Sequence, residues 1–311
     1  MSIAPEELAA EIRAQGLIVP TAVSGVVAQG RGFAEVADAL VAAIRRLTAG
    51  VGEYLRFGAV MPRDQAVAMR YFANFPQLLG SIHCFCGSDA EHRALLRAHD
   101  AGEPWADALP PVELVLTPAA CYPCYAILAA RGAVPAAGYR LQVDATCFRH
   151  EPSDDPARLQ SFRMQEVVAI GQPDAVVSFR EHWLAASADF LARLGLEGDV
   201  APADDPFFGR AAAVMAKAQR ERELKFEWRT PVSDAARPTA CLSANYHLDS
   251  FAKAFGLRFD DGSHAHSACV GFGVERIALA LFRTHGMVAE AWPVEVVDLL
   301  RLEGTPRADI R

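Results

Sequence analysis

Two strand patterns joined by a polar loop constrain the fold of this chain more than any other feature. Strand patterns cover residues 139–149 and, after the loop, residues 162–171. The residues between them, 150–157, are rich in Pro, Ser and Asp, which is typical of a loop. Consecutive strands joined by a loop pair antiparallel, so we expect an antiparallel sheet.

The rest of the chain is predicted to add helices before and between further strands. Helical spacing covers residues 6–15, 33–48, 89–101, 117–131, 178–194, 206–220 and 274–284. Strand patterns cover 54–60, 73–85, 224–228, 239–248 and 264–270. This mixture favours an α+β fold with an antiparallel sheet flanked by helices. The nearest candidate linker, 195–205, is short, so a single domain over 1–311 is expected.

Composition excludes several classes of protein. The 311 residues are 52% apolar and 22% charged, as in ordinary globular proteins and unlike disordered or collagenous ones. The net charge of −8 has the wrong sign for a protein whose main task is gripping a nucleic-acid backbone. With no apolar run of ~18 residues, no signal-peptide pattern and seven scattered cysteines, we expect a cytoplasmic protein with reduced thiols and no membrane partner.

Charged and aromatic residues cluster at the hairpin. Because residues two or four apart on a strand share a face, Arg149 lies with Glu151, and Phe162 lies with Glu166. Arg158 lies in the loop. Arginine forks bind phosphate and a flat ring stacks on a base, so the set suits a nucleoside triphosphate. A solvated hairpin of ion pairs would explain the same residues.

A glycine pair precedes the predicted helix at 274–284. The sequence Gly271-Phe272-Gly273-Val274-Glu275-Arg276 differs from the dinucleotide-binding fingerprint, because arginine replaces the third small residue. Taken alone, it indicates no more than a strand-to-helix turn with an arginine on the first helical turn.

Together these segments resemble class II aminoacyl-tRNA synthetases. The run from Phe148 to Glu151, followed by Arg158, Phe162 and Glu166, is similar to motif 2, and residues 271–276 are similar to motif 3. The most similar branch is the seryl one, and within it the truncated homologues that ligate amino acids to carrier proteins. The resemblance extends over about 19–283 and implies a homodimer that pairs through motif 1, near Pro62.

The resemblance also implies roles for individual residues. Arg149 would contact the α-phosphate of ATP, Phe162 would stack on adenine, and Arg276 would cover the other adenine face and reach the terminal phosphate. Glu151 would lie near the adenine amino group and Arg158 on the outer phosphates.

One departure concerns the Mg²⁺ that accompanies ATP. The strand before motif 3 lacks the glutamate with which seryl enzymes hold this ion, and only Asn245 and Ser243 keep the family's pattern. These two residues are candidate substrate contacts, and the Mg²⁺ ligands are undefined.

The resemblance further implies one zinc ion per subunit, held by Cys121, Glu166 and Cys269. Two thiolates and a carboxylate suit zinc and leave a fourth position for water or the substrate amine. Local spacing offers two other readings: a four-thiolate site that combines Cys84 and Cys86 with Cys121 and Cys124, and a redox pair formed by the latter two. Cys147 and Cys241 are expected to pack as small apolar residues.

The implied activity is ATP-dependent activation of a small amino acid, with glycine or alanine favoured, followed by transfer of the aminoacyl group to the phosphopantetheine thiol of a carrier protein. Because no long helical arm precedes the core, tRNA is not an expected partner. Two alternatives remain, a seryl-type tRNA ligase remnant and a catalytically silent regulator that binds an adenylate.

A basic stretch is the candidate docking surface for an acidic carrier protein. It lies in an expected insertion around 206–229 and contains Arg210, Lys217, Arg220, Arg222, Lys225 and Arg229. Glutamates interleave with these residues, so an ordinary solvated helix face is the alternative.

Overall fold

The computed structural model describes residues 3–302 of the chain. Its α-helices are α1 (Leu8–Ala14), α2 (Arg31–Leu47), α3 (Arg63–Ala68), α4 (Tyr71–Asn74), α5 (Asp89–Asp100), α6 (Tyr122–Ala129), α7 (Pro173–Arg193), α8 (Ala212–Glu221), α9 (Ser250–Phe255), α10 (Val274–His285) and α11 (Val294–Leu300). Short 3₁₀ helices cover Pro5–Glu7, Pro76–Leu78, Ala106–Ala108 and Ala289–Ala291. Its β-strands are β1 (Ile18–Pro20), β2 (Val27–Gln29), β3 (Glu53–Phe57), β4 (Val60–Pro62), β5 (Ser81–His83), β6 (Pro111–Leu116), β7 (Tyr139–Phe148), β8 (Ser161–Gly171), β9 (Asp199–Pro202), β10 (Lys225–Thr230), β11 (Thr239–Leu248) and β12 (His266–Gly273).

A seven-stranded sheet forms the centre of the molecule. Its strand order is β3-β7-β8-β12-β11-β10-β9, and every neighbouring pair is antiparallel except the parallel pair of β3 and β7. Two smaller sheets pair β1 with β2 and order β4-β6-β5. The α+β prediction with a mainly antiparallel sheet is therefore confirmed.

The predicted hairpin is formed by β7 and β8. Its register runs from Tyr139 opposite Ile170 to Phe148 opposite Ser161. β12 pairs with the other edge of β8, which places Gly271 directly opposite Glu166. The motif 2 and motif 3 segments are neighbours in the sheet for this reason.

The two faces of the sheet bury different cores, because successive side chains of a strand point to opposite sides. Val167 of β8 packs with α2, α7, α10 and α11, where the rings of Phe33 and Phe282 stack 5.7 Å apart. Val168 faces the other way and packs with α6 and α9, against Tyr125 and Leu128. Glu166 and Cys269 lie on this second face.

Several sequence expectations were wrong or incomplete. The strand expected over 73–85 is reduced to β5, because Tyr71 and Phe75 pack from helical turns into a small separate core and Pro76 begins a 3₁₀ helix. The candidate linker 195–205 contains β9, which closes the edge of the central sheet. The predicted helix at 206–220 begins at Ala212, and the one at 117–131 spans only α6.

Sequence patterns also missed β1, β2, β6 and α11. The single-domain prediction over 1–311 extends beyond the described residues at both ends. The expectation that the chain has no signal peptide rests in part on Met1 and Ser2, which lie outside the described residues. Between residues 3 and 302, no helix combines the length and the apolar character needed to cross a bilayer.

Candidate functional site

One cavity brings together most of the predicted site residues. It has a volume of about 480 Å³ and lies on the face of the sheet that packs against α6 and α9. The predicted residues that line it are Cys121, Arg149, Phe162, Glu166, Ser243, Asn245, Cys269 and Arg276. Glu151 and Arg158 are not among the lining residues; they face each other outside the cavity, with 3.5 Å between Nη1 and Oε1.

Arg149 is held by a backbone carbonyl. Its Nε donates a hydrogen bond to Pro118 O at 3.1 Å, and its guanidinium lies over the ring of Phe162. Burial acts to lower the pKa of Arg149, but the surroundings, with Tyr71 the strongest contributor, raise it overall. The arginine is therefore a fixed positive charge beside an aromatic face.

Arg276, on the first turn of α10, is held in the same way. Its Nε donates to Ala157 O at 2.9 Å and its Nη1 to Ala240 O at 3.0 Å. The first bond ties the motif 3 arginine to the loop between β7 and β8. Burial lowers the pKa of Arg276, yet a guanidinium stays protonated in proteins. Two cations thus face one cavity from different elements.

Cys121, Glu166 and Cys269 form a compact buried cluster. One thiol or carboxylate atom from each lies within 4.8 Å of the other two. Cys121 immediately precedes α6, and its backbone N–H donates to Glu166 Oε1 at 3.2 Å. Cys121 lies at the start of a helix, and Glu166 and Cys269 lie on the paired strands β8 and β12. These elements fix the geometry of the cluster.

The donor chemistry of this cluster fits a zinc ion. The pKa of Cys121 is raised, first by its hydrogen bond with Cys269 and then by burial. For Cys269, that hydrogen bond acts to lower the pKa, but burial and the nearby Glu166 raise it overall. Thiolates in this position need a compensating cation, and thiolate sulfur with carboxylate oxygen is a ligand set that zinc takes.

Two nitrogen groups on β11 approach the sulfur of Cys269. Asn245 Nδ2 lies 3.6 Å and His247 Nε2 lies 3.7 Å from Sγ. The Nδ1 of His247 lies 3.0 Å from Ser267 Oγ. Burial lowers the pKa of His247 to about 4, so the ring is neutral near pH 7. Sequence reasoning missed this histidine, although it shares the strand face of Asn245.

The four-thiolate hypothesis is wrong for the described residues, and the redox-pair hypothesis gains no support from them. Cys84 and Cys86 are exposed, whereas Cys121 and Cys124 are buried, and across 3–302 the metal-ligand cluster contains neither exposed cysteine. Burial raises the pKa of Cys124 and contributes to the raised pKa of Cys121, which is the opposite of a reactive redox pair. Cys147 and Cys241 are buried, as expected.

A charged network lines the cavity wall next to α8. Lys225 Nζ lies 2.6 Å from Asp205 Oδ1 and 3.1 Å from Glu227 Oε1. Gln219, on α8, donates its Nε2 to Asp205 Oδ2 at 2.8 Å. Burial acts to lower the pKa of Lys225 and to raise that of Asp205, but their mutual attraction reverses both shifts.

This network corrects part of the basic-surface prediction. Lys225 is only 8% exposed and belongs to β10 of the central sheet, so it is not a surface residue. Arg229, also on β10, donates Nη2 to Pro202 O at 3.3 Å.

The other basic residues of the stretch are exposed around α8: Arg210, Lys217, Arg220 and Arg222. Arg220 lies 3.1 Å from Asp204 and Lys217 lies 3.6 Å from Glu221, both at the surface. A different side of α8, with Met215 and Ala218, lines the cavity.

The fold is that of the class II aminoacyl-tRNA synthetase core. Residues 110–285 match the family described as tRNA synthetase class II core domain (G, H, P, S and T). The fold is similar to that of the M. kandleri seryl-tRNA synthetase solved in complex with A. aeolicus tRNASec, with a TM-score of 0.82 at 20% identity over 98% of this chain. The chain spans 62% of the length of that synthetase.

Two curated relatives narrow the class further. Amino acid–[acyl-carrier-protein] ligase 2 of Bradyrhizobium diazoefficiens is 45% identical over 275 residues, which is 88% of this chain and 82% of the relative. Ligase 1 of the same organism is 43% identical over 279 residues, which is 90% of this chain and 86% of that relative. The chain belongs to the amino acid–[acyl-carrier-protein] ligase family.

Proposed function

We propose that this enzyme activates a small amino acid with ATP and transfers the aminoacyl group to the phosphopantetheine thiol of a carrier protein. The observation that carries the proposal is the meeting of Arg149, Phe162 and Arg276 with the cysteine–glutamate cluster in one cavity. The names of the Bradyrhizobium relatives support the carrier protein as acceptor. Glycine and alanine remain the favoured substrates.

The arginines and the aromatic ring would bind ATP. Arg149, fixed beside Phe162, would contact the α-phosphate, while Phe162 and Arg276 would hold opposite faces of the adenine. Glu151 and Arg158, outside the cavity lining, would reach the adenine amino group and the outer phosphates once the nucleotide is present. Mg²⁺ would accompany the phosphates of ATP.

Cys121, Glu166 and Cys269 would hold zinc, and a bound zinc ion supplies a Lewis-acid position for the α-amino group of the substrate. Ser243 and Asn245 face the same cavity and would contact the amino acid. Gly271 leaves room beside Glu166, because a Cβ at this position would lie only 3.1 Å from Glu166 Cγ.

The reaction would proceed in two displacements. The substrate carboxylate attacks the α-phosphorus in line, pyrophosphate leaves, and Arg149 stabilises the charge on the phosphate oxygens. The carrier thiol then attacks the carbonyl carbon of the aminoacyl adenylate and AMP leaves. The mixed anhydride is reactive enough that no covalent intermediate on the enzyme is needed.

The exposed basic residues of α8 support a carrier-docking role, since another side of the helix lines the cavity. Exposed apolar side chains near Pro62, among them Val60, Val67 and Phe72, support a homodimer through motif 1. A cytoplasmic location stays a prediction from the sequence.

The test is amino-acid-dependent exchange of pyrophosphate into ATP, measured on zinc-replete protein with each of the twenty amino acids. Exchange with one or two small amino acids that is lost in Cys269→Ala would support activation at the cluster. Exchange with none would favour the adenylate-binding regulator. Charging of tRNA in the absence of a carrier protein would favour the tRNA ligase remnant.

A further inference from the structure

The hairpin of β1 and β2 lies against the loop that joins β7 and β8. The backbone N–H of Gln160 donates to Gly25 O at 2.8 Å, and its side-chain Nε2 donates to Ser24 O at 2.8 Å. Ser24 Oγ in turn donates to Asp154 Oδ1 at 2.9 Å. Gln160 is only 5% exposed, so its own two bonds are largely shielded from water, whereas the bond between Ser24 and Asp154 is exposed.

Gln160 also connects this contact to the predicted ATP site. Its carbonyl oxygen accepts a hydrogen bond from the backbone N–H of Arg149 at 2.9 Å. On its other side the loop is held by Arg276, which donates to Ala157 O. Arg158, assigned to the outer phosphates, lies between these two attachments. The loop is thus held from the hairpin tip and from α10.

Only glycine fits where the hairpin tip comes closest to the loop between β7 and β8. Gly25 has φ +77°, and a Cβ there would lie 3.1 Å from Gln160 Cγ and 3.2 Å from Arg158 O. Gly16, at the other end of the same N-terminal segment, has φ +65° with no heavy atom within 4 Å of its Cβ position. Both glycines have a positive φ, so alanine would be strained at either position, but only Gly25 has close neighbours.

We propose that Gln160 is a positioning residue for ATP, and that the tip formed by Ser24 and Gly25 acts through it to hold Arg149 and Arg158 in place. The inference rests on the proposed function, because it assumes that these arginines bind phosphate. We call this contact of Ser24 and Gly25 with Gln160 the clamp. A loop ordered before the nucleotide arrives loses less entropy on binding, so the clamp acts first on ATP affinity.

The experiment compares Gly25→Ala, Gln160→Met and the control Gly16→Ala in the full-length protein. Dissociation constants for ATP are measured by calorimetry, and KM for ATP, KM for the amino acid and kcat are measured by pyrophosphate exchange. The two clamp variants should weaken ATP binding about 5- to 10-fold, the value of one shielded hydrogen bond. KM for the amino acid should stay within about twofold, any fall in kcat should be smaller than the loss of ATP affinity, and the control should match the wild type.

Thermal unfolding of each variant separates this role from a purely structural one. Unchanged ATP affinity in folded Gly25→Ala and Gln160→Met would overturn the proposal, as would an equal rise in both KM values. If wild-type protein binds ATP but shows no exchange, the proposed function fails while the ATP affinities still decide the clamp. Wild-type protein that binds no ATP would overturn both.

Discussion

The guanidinium carbon of Arg149 lies 5.5 Å from the centroid of the Phe162 ring. This cation–π contact joins the end of β7 to the start of β8 across the mouth of the hairpin. The cation proposed to bind phosphate and the ring proposed to stack on adenine are therefore arranged together before any nucleotide binds.

Replacing this ring should weaken nucleotide binding specifically. We expect Phe162→Leu to raise KM for ATP by about 10- to 100-fold, since stacking of a base on an aromatic side chain is worth about 1–3 kcal/mol. Pyrophosphate exchange at varied ATP measures the effect. Phe162→Tyr keeps the ring and should remain close to wild type; an equal loss in both variants would contradict a stacking role.

The proposed zinc site can be tested with two cysteines that lie three residues apart. Cys121→Ala should lose bound zinc, because it removes one ligand of the cluster, whereas Cys124→Ala should retain it. Both residues are almost fully buried, so the substitutions create similar small cavities. Metal content by mass spectrometry after gel filtration gives the answer. Equal zinc in both variants would exclude Cys121 as a ligand.

Removing Lys225 should destabilise the fold by leaving Asp205 and Glu227 without their shared cation. We expect Lys225→Met to lower the free energy of unfolding by about 2–3 kcal/mol, less than the roughly 3–5 kcal/mol for fully buried pairs, because Asp205 keeps contact with water. Denaturant titration measures this loss, and Lys253→Met, at an exposed pair with Asp249, should cost less than about 1 kcal/mol.

The same variant should show a defined pH dependence. The pKa of Asp205 is lowered from 3.8 and that of Lys225 is raised from 10.5, so the pair contributes its full stability between these values. The contribution is lost as pH falls through the Asp205 pKa or rises through the Lys225 pKa. Unfolding at several pH values should therefore give the largest difference from wild type near neutrality. A difference that grows in acid would contradict the assignment.

Charge reversal at the C-terminal end of α8, on Arg220 and the following Arg222, should separate the two half-reactions. Arg220→Glu with Arg222→Glu should weaken transfer to the carrier protein by about 10-fold or more while leaving pyrophosphate exchange unchanged, because both side chains point to solvent. The matched control reverses Arg93 and Arg97 on α5, which are equally exposed. Parallel loss of exchange and transfer would show that the basic residues support the site rather than the carrier.

The sequence predicted the parts of the fold that local pattern controls. β7 follows from strict alternation and β8 from its apolar run over 167–170, while α10 follows from helical spacing after Gly273. The expected strand at 73–85 failed because its apolar residues pack from helical turns into a core supplied by distant elements. The local spacing of apolar residues does not reveal a core formed with distant segments.

The site was predictable only where residues lie close in sequence. Arg149 and Phe162 flank one loop, whereas the three cluster residues come from separate elements and were assigned through family resemblance alone. Lys225 and His247 show a further limit. Lys225 was expected at the surface but is buried, where it pairs with Asp205 and Glu227. His247 was not singled out, although its ring lies beside the sulfur of Cys269.

The separation of the cluster residues along the chain sets when the cluster can form. Cys121 and Glu166 leave the ribosome before Cys269, and about a hundred residues at roughly 5–20 residues per second delay the last one by about 5–20 s. β12 must then insert between β8 and β11 before the three side chains meet. The cluster is therefore completed late in the life of the nascent chain, and a chain that stops before β12 cannot assemble it.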